Sequence, residues 1–463
     1  MITGEASSRG VRSAAWQMPF MQSAVESREA VRKRIVTLVF VVYWLLIFEG
    51  VLRKWVLPQL SDVLFFLKDP FVIAIYYLAF RYRLWPQNST MFWLGVLLAA
   101  LYIPLVLLQA ISYDFPILVS GYGWRNYFFY LPLAFIIGCN FRGEDLARLV
   151  KYTLLVAIPL AVLVFFQFLS PPDAFVNRTY SEDAEIFTVT KDIVRTYGTF
   201  TFTTGQVIFV ASTIAMLLAV WILPKDQRPL HPMLLIAATV AVITSFAVNG
   251  SRAIFFYTAL TLAATVFSGI IAAKQRIRFR AAILPIVLAT AGALIFINVF
   301  TTSWEAIQER QQVASGIEGS PVARALKSFT EFTNYIIETP VLGHGVGYGT
   351  GGGAKLATGK MDFTLVEDEW SRVLLESGVV LGLLYIAYRI LLVSWLFVQA
   401  VRATRRSHNP LPLALLGFIG IVLLNGQITS QGTIMGYGWL FAGFLMAANR
   451  LGLRPGSEAD AWK

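Results

Sequence analysis

Residues 243–260 read "ITSFAVNGSRAIFFYTAL", and the way this stretch is folded decides the class of the whole chain. Two apolar runs meet at a short polar break, so the segment reads as a helix, a turn and a second helix, with Arg252 at the tip of the hairpin. Followed outward, the runs cover about 233–249 and 252–272. Each is close to the length that crosses roughly 30 Å of hydrocarbon. Backbone groups in that environment must bond within their own segment, so the spans are expected to be helices.

The same pattern recurs along the chain. Of 463 residues, 57% are hydrophobic and 14% charged, with a mean hydropathy of +0.64; soluble domains carry about a quarter charged residues. The expected fold is therefore all-α, a polytopic transmembrane bundle of about twelve spans. They are placed near 35–52, 60–80, 91–111, 116–138, 152–169, 205–223, 233–249, 252–272, 281–299, 371–398, 411–426 and 432–449.

Five segments follow from this reading. Residues 1–34 form a basic cytoplasmic N-terminal segment, read as no signal peptide because it lacks an apolar core and a cleavage site, with part of it lying as an amphipathic helix on the inner leaflet. Spans one to nine occupy 35–299, a large partly helical extracytoplasmic loop 300–370, spans ten to twelve 371–450, and a cytoplasmic tail 451–463. With the N-terminus inside, 23 of the 38 Lys and Arg fall in cytoplasmic segments, and every short loop on that side is basic, as the positive-inside rule requires. The net charge of +11 is then a sign of membrane orientation, and nucleic acid is not expected as a partner. Cys139 has no second cysteine in the chain, which excludes an internal disulfide.

The outer loop contains "GHGVGYGTGGGAK", residues 343–355, with a formal G-x-G-x-x-G at Gly347, Gly349 and Gly352. A dinucleotide fingerprint needs a strand before it and a helix after it. Here a proline turn precedes it. Ala354 and Leu356 break any phosphate-loop pattern around Lys355, and an extracytoplasmic loop meets no nucleotide. The glycines are read as a turned or pliable loop. Upstream, Phe329, Phe332, Tyr335, Ile336 and Ile337 are read as the apolar face of one or two amphipathic helices within residues 303–343.

Ionisable groups near apolar spans demand a reason, because each costs about 2.5–3.5 kcal/mol at a helix centre on insertion scales. Arg53, Lys54, Lys68, Asp69, Arg125, Arg195, Arg252, Arg372 and the acids Glu367, Asp368 and Glu369 cluster toward the outer side. Arg252 reads either as a snorkelling anchor or, with Ser251 and free N–H groups at a helix start, as an anion site. Arg195, in "VRTYGTFTFTTGQVIF", reads either as a site residue or as an ordinary loop arginine, and Arg125, in "GYGWRNYFFY", sits in an aromatic run that suits sugar rings or, the favoured reading, an interfacial belt. Aromatic and hydroxyl residues such as Tyr197 suit sugar rings or an interfacial belt. The three acids suit a helix N-terminus; crowded together at a low-dielectric boundary, one of them is also a candidate base. Of the three histidines, His344 alone lies on the outer side, as a catalytic group or a plain loop residue; no metal-ligand spacing occurs.

With these residues placed, the tip "NGSRAIFFY", the loop ending "LGHGVGYG" and the helix ending "LLESGVVLGLL" resemble the O-antigen ligase and polysaccharide polymerase superfamily, over roughly residues 195–450. The resemblance implies a bacterial inner-membrane glycosyltransferase with both termini cytoplasmic, using an undecaprenyl-pyrophosphate-linked oligosaccharide and neither metal nor other cofactor. It implies that arginines hold the pyrophosphate, with Arg252 at the family's tip position; Arg195 first, then Arg372, and Ser251 at the helix start are the further candidates from the residues themselves. The ligase branch often has His-Asn where this chain has Glu367-Asp368, a departure that counts against a histidine base and against a ligase. Glu367 is the first candidate for the base that prepares the attacking hydroxyl, followed by Glu369 and His344. Gly345, Gly347, Tyr197 and Trp370 are candidates for glycan or loop contacts. The expected activity is polymerisation of lipid-linked repeat units, with the lipid bilayer and a chain-length regulator or export protein as partners. Ligation of a finished glycan to a lipid or protein is the alternative within the same chemistry. A transporter or flippase, which tends to show repeat halves and mid-membrane charges, and a structural envelope partner are the alternatives of other classes.

Overall fold

The computed structural model describes residues 9–113, 116–180, 188–190, 193–272, 279–280, 282–287, 290, 294, 327–359 and 364–453. Among these, fourteen α-helices make up almost all of the regular structure. In chain order they are α1 (Arg9–Val51), α2 (Ser61–Leu64), α3 (Asp69–Arg81), α4 (Thr90–Ser112), α5 (Ile117–Trp124), α6 (Leu131–Asn140), α7 (Gly143–Leu169), α8 (Thr203–Ile222), α9 (Pro232–Ala247), α10 (Ala253–Ile271), α11 (Gly351–Thr358), α12 (Glu369–Ser407), α13 (Leu411–Asn425) and α14 (Gly432–Leu453). A two-stranded antiparallel ribbon, Thr188–Thr190 with Ile193–Val194, precedes α8.

Seven segments are long and apolar enough to cross a membrane: Ser27–Val56, Pro58–Arg81, Thr90–Ser112, Gly143–Leu169, Thr203–Ile222, Ala253–Ile271 and Glu369–Ser407. They are compatible with a multi-pass membrane protein. Each contains or overlaps a span expected from the sequence, and α14 covers the expected 432–449 as one helix, but the other expected spans differ. The run 116–138 is broken into α5, a π-helical turn at Arg125–Phe129 and α6. The helices α9 and α13 are short apolar helices. Most of 281–299 and 300–326 lies outside the described residues, as do residues 1–8 and 454–463; residues 9–34 of the expected N-terminal segment run continuously into the first span within α1.

Helices α8 and α14 are buried along nearly their whole length. Around them α6 packs on α14, α10 on α13, and α7 on α9. Aromatic rings fill the gaps, as in the stacked pair Tyr437 and Phe441 and the edge contacts of Tyr43 with Phe441 and Phe444. Outward-facing positions remain apolar, for example Phe80, Ile111, Leu118 and Met233. A bundle whose core and outer surface are both apolar is what a hydrocarbon surrounding calls for.

The largest departure from the expected spans is in α12. Gly378 has φ 75° and ψ 166°, which reverses the chain inside what the hydropathy alone reads as one helix. Residues 369–377 form a short arm folded back along residues 379–407. A Cβ on Gly382 would stand 2.9 Å from Leu374 Cα, and Arg389 Nη1 reaches Glu369 Oε1 at 2.7 Å. Those two residues are twenty apart in sequence, about 30 Å along a straight helix. Only a residue without Cβ tolerates this φ without strain.

Candidate functional site

The glycine-rich stretch completes that reversal. The last carbonyls of the short arm have no partner within the helix. His344 N–H bonds Leu375 O at 2.7 Å, Gly345 N–H bonds Glu376 O at 3.3 Å, and Gln109 Nε2 bonds Glu376 O at 2.8 Å. Gln109 Oε1 accepts from Val346 N–H, and Gly349 N–H bonds Glu376 Oε1 at 2.9 Å, whose second oxygen takes the Tyr127 hydroxyl at 2.7 Å. A Cβ on Gly343 would collide with the Glu376 carbonyl, and one on Gly347 would stand 2.6 Å from Gly123 Cα. The glycines therefore serve close backbone packing. Gly345 and Gly347 are buried, while the His344 side chain is exposed.

The acidic start of α12 divides by role. Asp368 is the N-cap, accepting from Ser371 N–H at 3.1 Å and Ser371 Oγ at 2.8 Å. Burial pushes its carboxyl above the usual range, with the Ser371 bonds opposing. Glu369 is 2% exposed. Its carboxylate meets Arg372, Arg389, Thr429 N–H at 3.3 Å and Thr429 Oγ at 3.2 Å. Arg372 also donates to Thr429 Oγ at 3.0 Å and to the Glu367 carbonyl at 3.3 Å, and its Nε stands 4.0 Å from Glu376 Oε1. Arg389 further bonds the carbonyls of Leu423 and Gly426, at 2.6 and 2.8 Å. Glu369, Arg372 and Arg389 thus form a closed, buried ion network that ties both arms of α12 to the end of α13. The Glu367 side chain is exposed. Trp370 donates to Leu424 O at 2.8 Å and receives the edges of Phe329 and Phe332, so part of the expected apolar face does pack; Ile337 is 95% exposed.

The two arginine-bearing segments meet. Thr196 Oγ donates to Val248 O at 3.1 Å, fastening the loop of Arg195 to the hairpin tip of Arg252. Both arginines are half-buried. Within the tip, Ser251 N–H bonds Asn249 Oδ1 at 3.3 Å. The loop is anchored below by Thr199 Oγ on Ile47 O at 2.6 Å and by Lys54 Nζ on Gly198 O at 2.8 Å, the ammonium also lying over the rings of Trp55 and Tyr197. Tyr197 donates to Asn177 O. From the first turn of α8, which follows that loop, a chain of side chains runs toward α12: Thr204 Oγ to Gln431 Oε1 at 2.7 Å, Gln431 Nε2 to Gln427 Oε1 at 2.5 Å, and Gln427 Nε2 to the Glu367 carbonyl at 3.1 Å. Arg195, Arg252, Ser251 and Glu367 accordingly stand on linked loops at one end of the bundle.

The remaining suspect charges pair within the fold. Lys68 bonds Glu49 at 2.6 Å, and Arg125 grips Asp69 with Nε at 2.7 Å and Nη2 at 2.8 Å, with Tyr130 on the same carboxylate. Arg53, Lys68 and Arg125 surround the Phe65 ring at 5.0–5.6 Å. These are contacts that hold the end of α1, the start of α3 and the π-helical turn before α6 together.

Sequence reasoning missed several residues here. Gln206 and Asn249 are buried, and among the described residues Gln206 Oε1 and Nε2 and Asn249 Nδ2 find no hydrogen-bond partner. A buried amide with unspent donors is costly unless something else bonds it. Their signal was an amide inside or bordering an apolar run, the same signal as Gln109, Gln427 and Gln431. No group of three or more His, Cys, Asp or Glu side chains placed to hold a metal occurs among the described residues. Neither a scan against protein-family models nor a search of curated proteins returned a match to this chain.

Proposed function

We propose that the chain is a membrane glycosyltransferase that polymerises repeat units carried on undecaprenyl pyrophosphate, at the outer face of a bacterial cytoplasmic membrane. The observation that carries this reading is the Thr196–Val248 bond, which gathers Arg195 and Arg252 onto one pair of linked loops, with the exposed Glu367 joined to them through Gln427, Gln431 and Thr204. Guanidinium forks suit the oxygens of a diphosphate. In transfer, the acceptor hydroxyl oxygen bonds to the anomeric carbon of the donor sugar while the bond from that carbon to the diphosphate breaks. Charge develops on the leaving diphosphate, where Arg195 and Arg252 stabilise it. The hydroxyl proton passes to the Glu367 carboxylate. Asn249 Nδ2, three residues before Arg252, supplies a further donor at that end of the bundle. Arg372, Glu369 and Trp370 enter this reading as the support that fixes the backbone of Glu367, and the glycine stretch as the brace of the α12 reversal.

The test replaces Arg252 by Ala and, separately, Glu367 by Gln in the native host, with membrane levels confirmed. Lipid-linked glycans are then sized beside the surface polysaccharide. Single lipid-linked units accumulating while polymer disappears is the expected result. Polymer that still forms but stays on the carrier lipid would make the protein a ligase. Unchanged pools would overturn the transferase reading.

A further inference from the structure

At the opposite end of the bundle, where the middle of α1, the end of α6 and the last turn of α14 come together, a cavity of about 350 Å³ is lined by Arg28, Glu29, Arg32, Cys139, Arg142 and Arg450 among others. Its volume falls in the range of about 300–1,000 Å³ usual for small-molecule sites. The lining sets four arginines against the single carboxylate of Glu29. Glu144 and Asp145 add to the acidic side through Arg32, at 3.7 and 2.9 Å, and still leave more cations than anions among these groups.

The walls are built rather than incidental. Arg32 is 6% exposed and is held by Glu29, Asp145 and Asn140 O. Arg142, just before α7, reaches Glu29 at 2.7 Å. Arg450 donates from α14 to Gly138 O at 2.9 Å and to Phe141 O. Arg28 crosses to Arg83 O at 2.7 Å, and its side chain is exposed at the rim. Two helices, α1 and α14, and the link between α6 and α7 thus converge guanidinium groups on one recess at the edge of an apolar bundle. Basic recesses between membrane helices are where anionic lipid head groups bind, and the planar guanidinium fork matches phosphodiester oxygens.

We infer that this recess binds the phosphodiester head group of an anionic phospholipid, fixing the depth of this end of the bundle in the membrane. The converging guanidinium groups recognise the phosphate, and the apolar surface around the recess takes the acyl chains.

Cys139, the chain's single cysteine, is exposed on the recess wall and reports occupancy directly. The full-length protein is placed in nanodiscs of phosphatidylcholine alone or of phosphatidylcholine with phosphatidylglycerol, and the rate of Cys139 labelling by the uncharged N-ethylmaleimide is followed. The expected result is several-fold slower labelling with phosphatidylglycerol, and loss of that protection in an Arg28→Gln/Arg142→Gln double variant. Native mass spectrometry of the unaltered protein supplies an arm that needs no variant: phosphatidylglycerol should be retained over phosphatidylcholine at equal loading. Equal labelling in both discs with no preferential retention overturns the inference, as does slowing that persists in the double variant, which would be a surface-potential effect. Protection by inorganic phosphate in phosphatidylcholine discs, equal to that by the lipid, would overturn the lipid assignment in favour of a soluble phosphate.

Discussion

Replacing Glu369 by Gln tests whether the acidic start of α12 is a support or a reagent. The Glu369 carboxylate is 2% exposed and takes Arg389 Nη1 at 2.7 Å, Arg372 Nη2, and both donors of Thr429. Arg372 and Arg389 are 0% and 1% exposed. Glutamine keeps one acceptor oxygen but removes the charge, leaving two buried guanidinium groups with Glu376, 4.0 Å from Arg372, as the remaining carboxylate beside them. Breaking a buried pair by removing one partner costs about 3–5 kcal/mol. The retained acceptor places the expected loss near the lower end, about 3 kcal/mol, a change of roughly a hundredfold in the folded-to-unfolded ratio. Denaturant unfolding of the purified protein in mild detergent, followed by tryptophan fluorescence with Trp370 adjacent, measures it. The Glu369→Gln/Arg389→Met double variant should recover part of the loss, with a coupling of about 1–3 kcal/mol. A single variant that unfolds within about 0.5 kcal/mol of the parent would refute the argument that this network holds α12 to α13.

Three further outcomes follow from the same geometry. Gly378→Ala should lower the unfolding midpoint markedly, because an added Cβ combines φ 75° with a collision at Val341 O, whereas Gly351→Ala, in open space in the first turn of α11, should be neutral or stabilising by up to about 1 kcal/mol. Asp368 has its carboxyl raised by burial, so the folded state binds the proton more tightly than the unfolded chain. The group's contribution is then greatest at low pH and falls as pH rises from the unfolded carboxylate value through the raised folded one. Asp368→Asn, which preserves the cap, should flatten that part of a stability-against-pH curve. Thr196→Val removes the bond to Val248 and should reduce the proposed glycan transfer about fivefold if one net hydrogen bond of about 1 kcal/mol is lost, with membrane levels unchanged; full activity would detach the Arg195 loop from the proposed site.

The sequence alone determined the all-α class, because a chain this apolar must satisfy its backbone within each segment, and the "AVNGSRAI" break by itself marked a hairpin. It also marked the charges worth explaining, since each has to offset its own burial. The partners of those charges were decided by the tertiary structure. Arg372 and Glu369 sit three residues apart on one helix, yet Arg389 completes their network only because Gly378 folds the helix back on itself. The glycines of residues 343–355 read in one dimension as a turned or pliable loop, and they become a backbone brace once Leu375 O and Glu376 O stand beside them. Hydropathy measures the transfer of a segment into hydrocarbon and is blind to a single positive φ. The reversal of α12, the joining of the Arg195 and Arg252 loops, and the convergence of four arginines on one recess all depend on contacts between residues far apart in the chain, which no local pattern encodes.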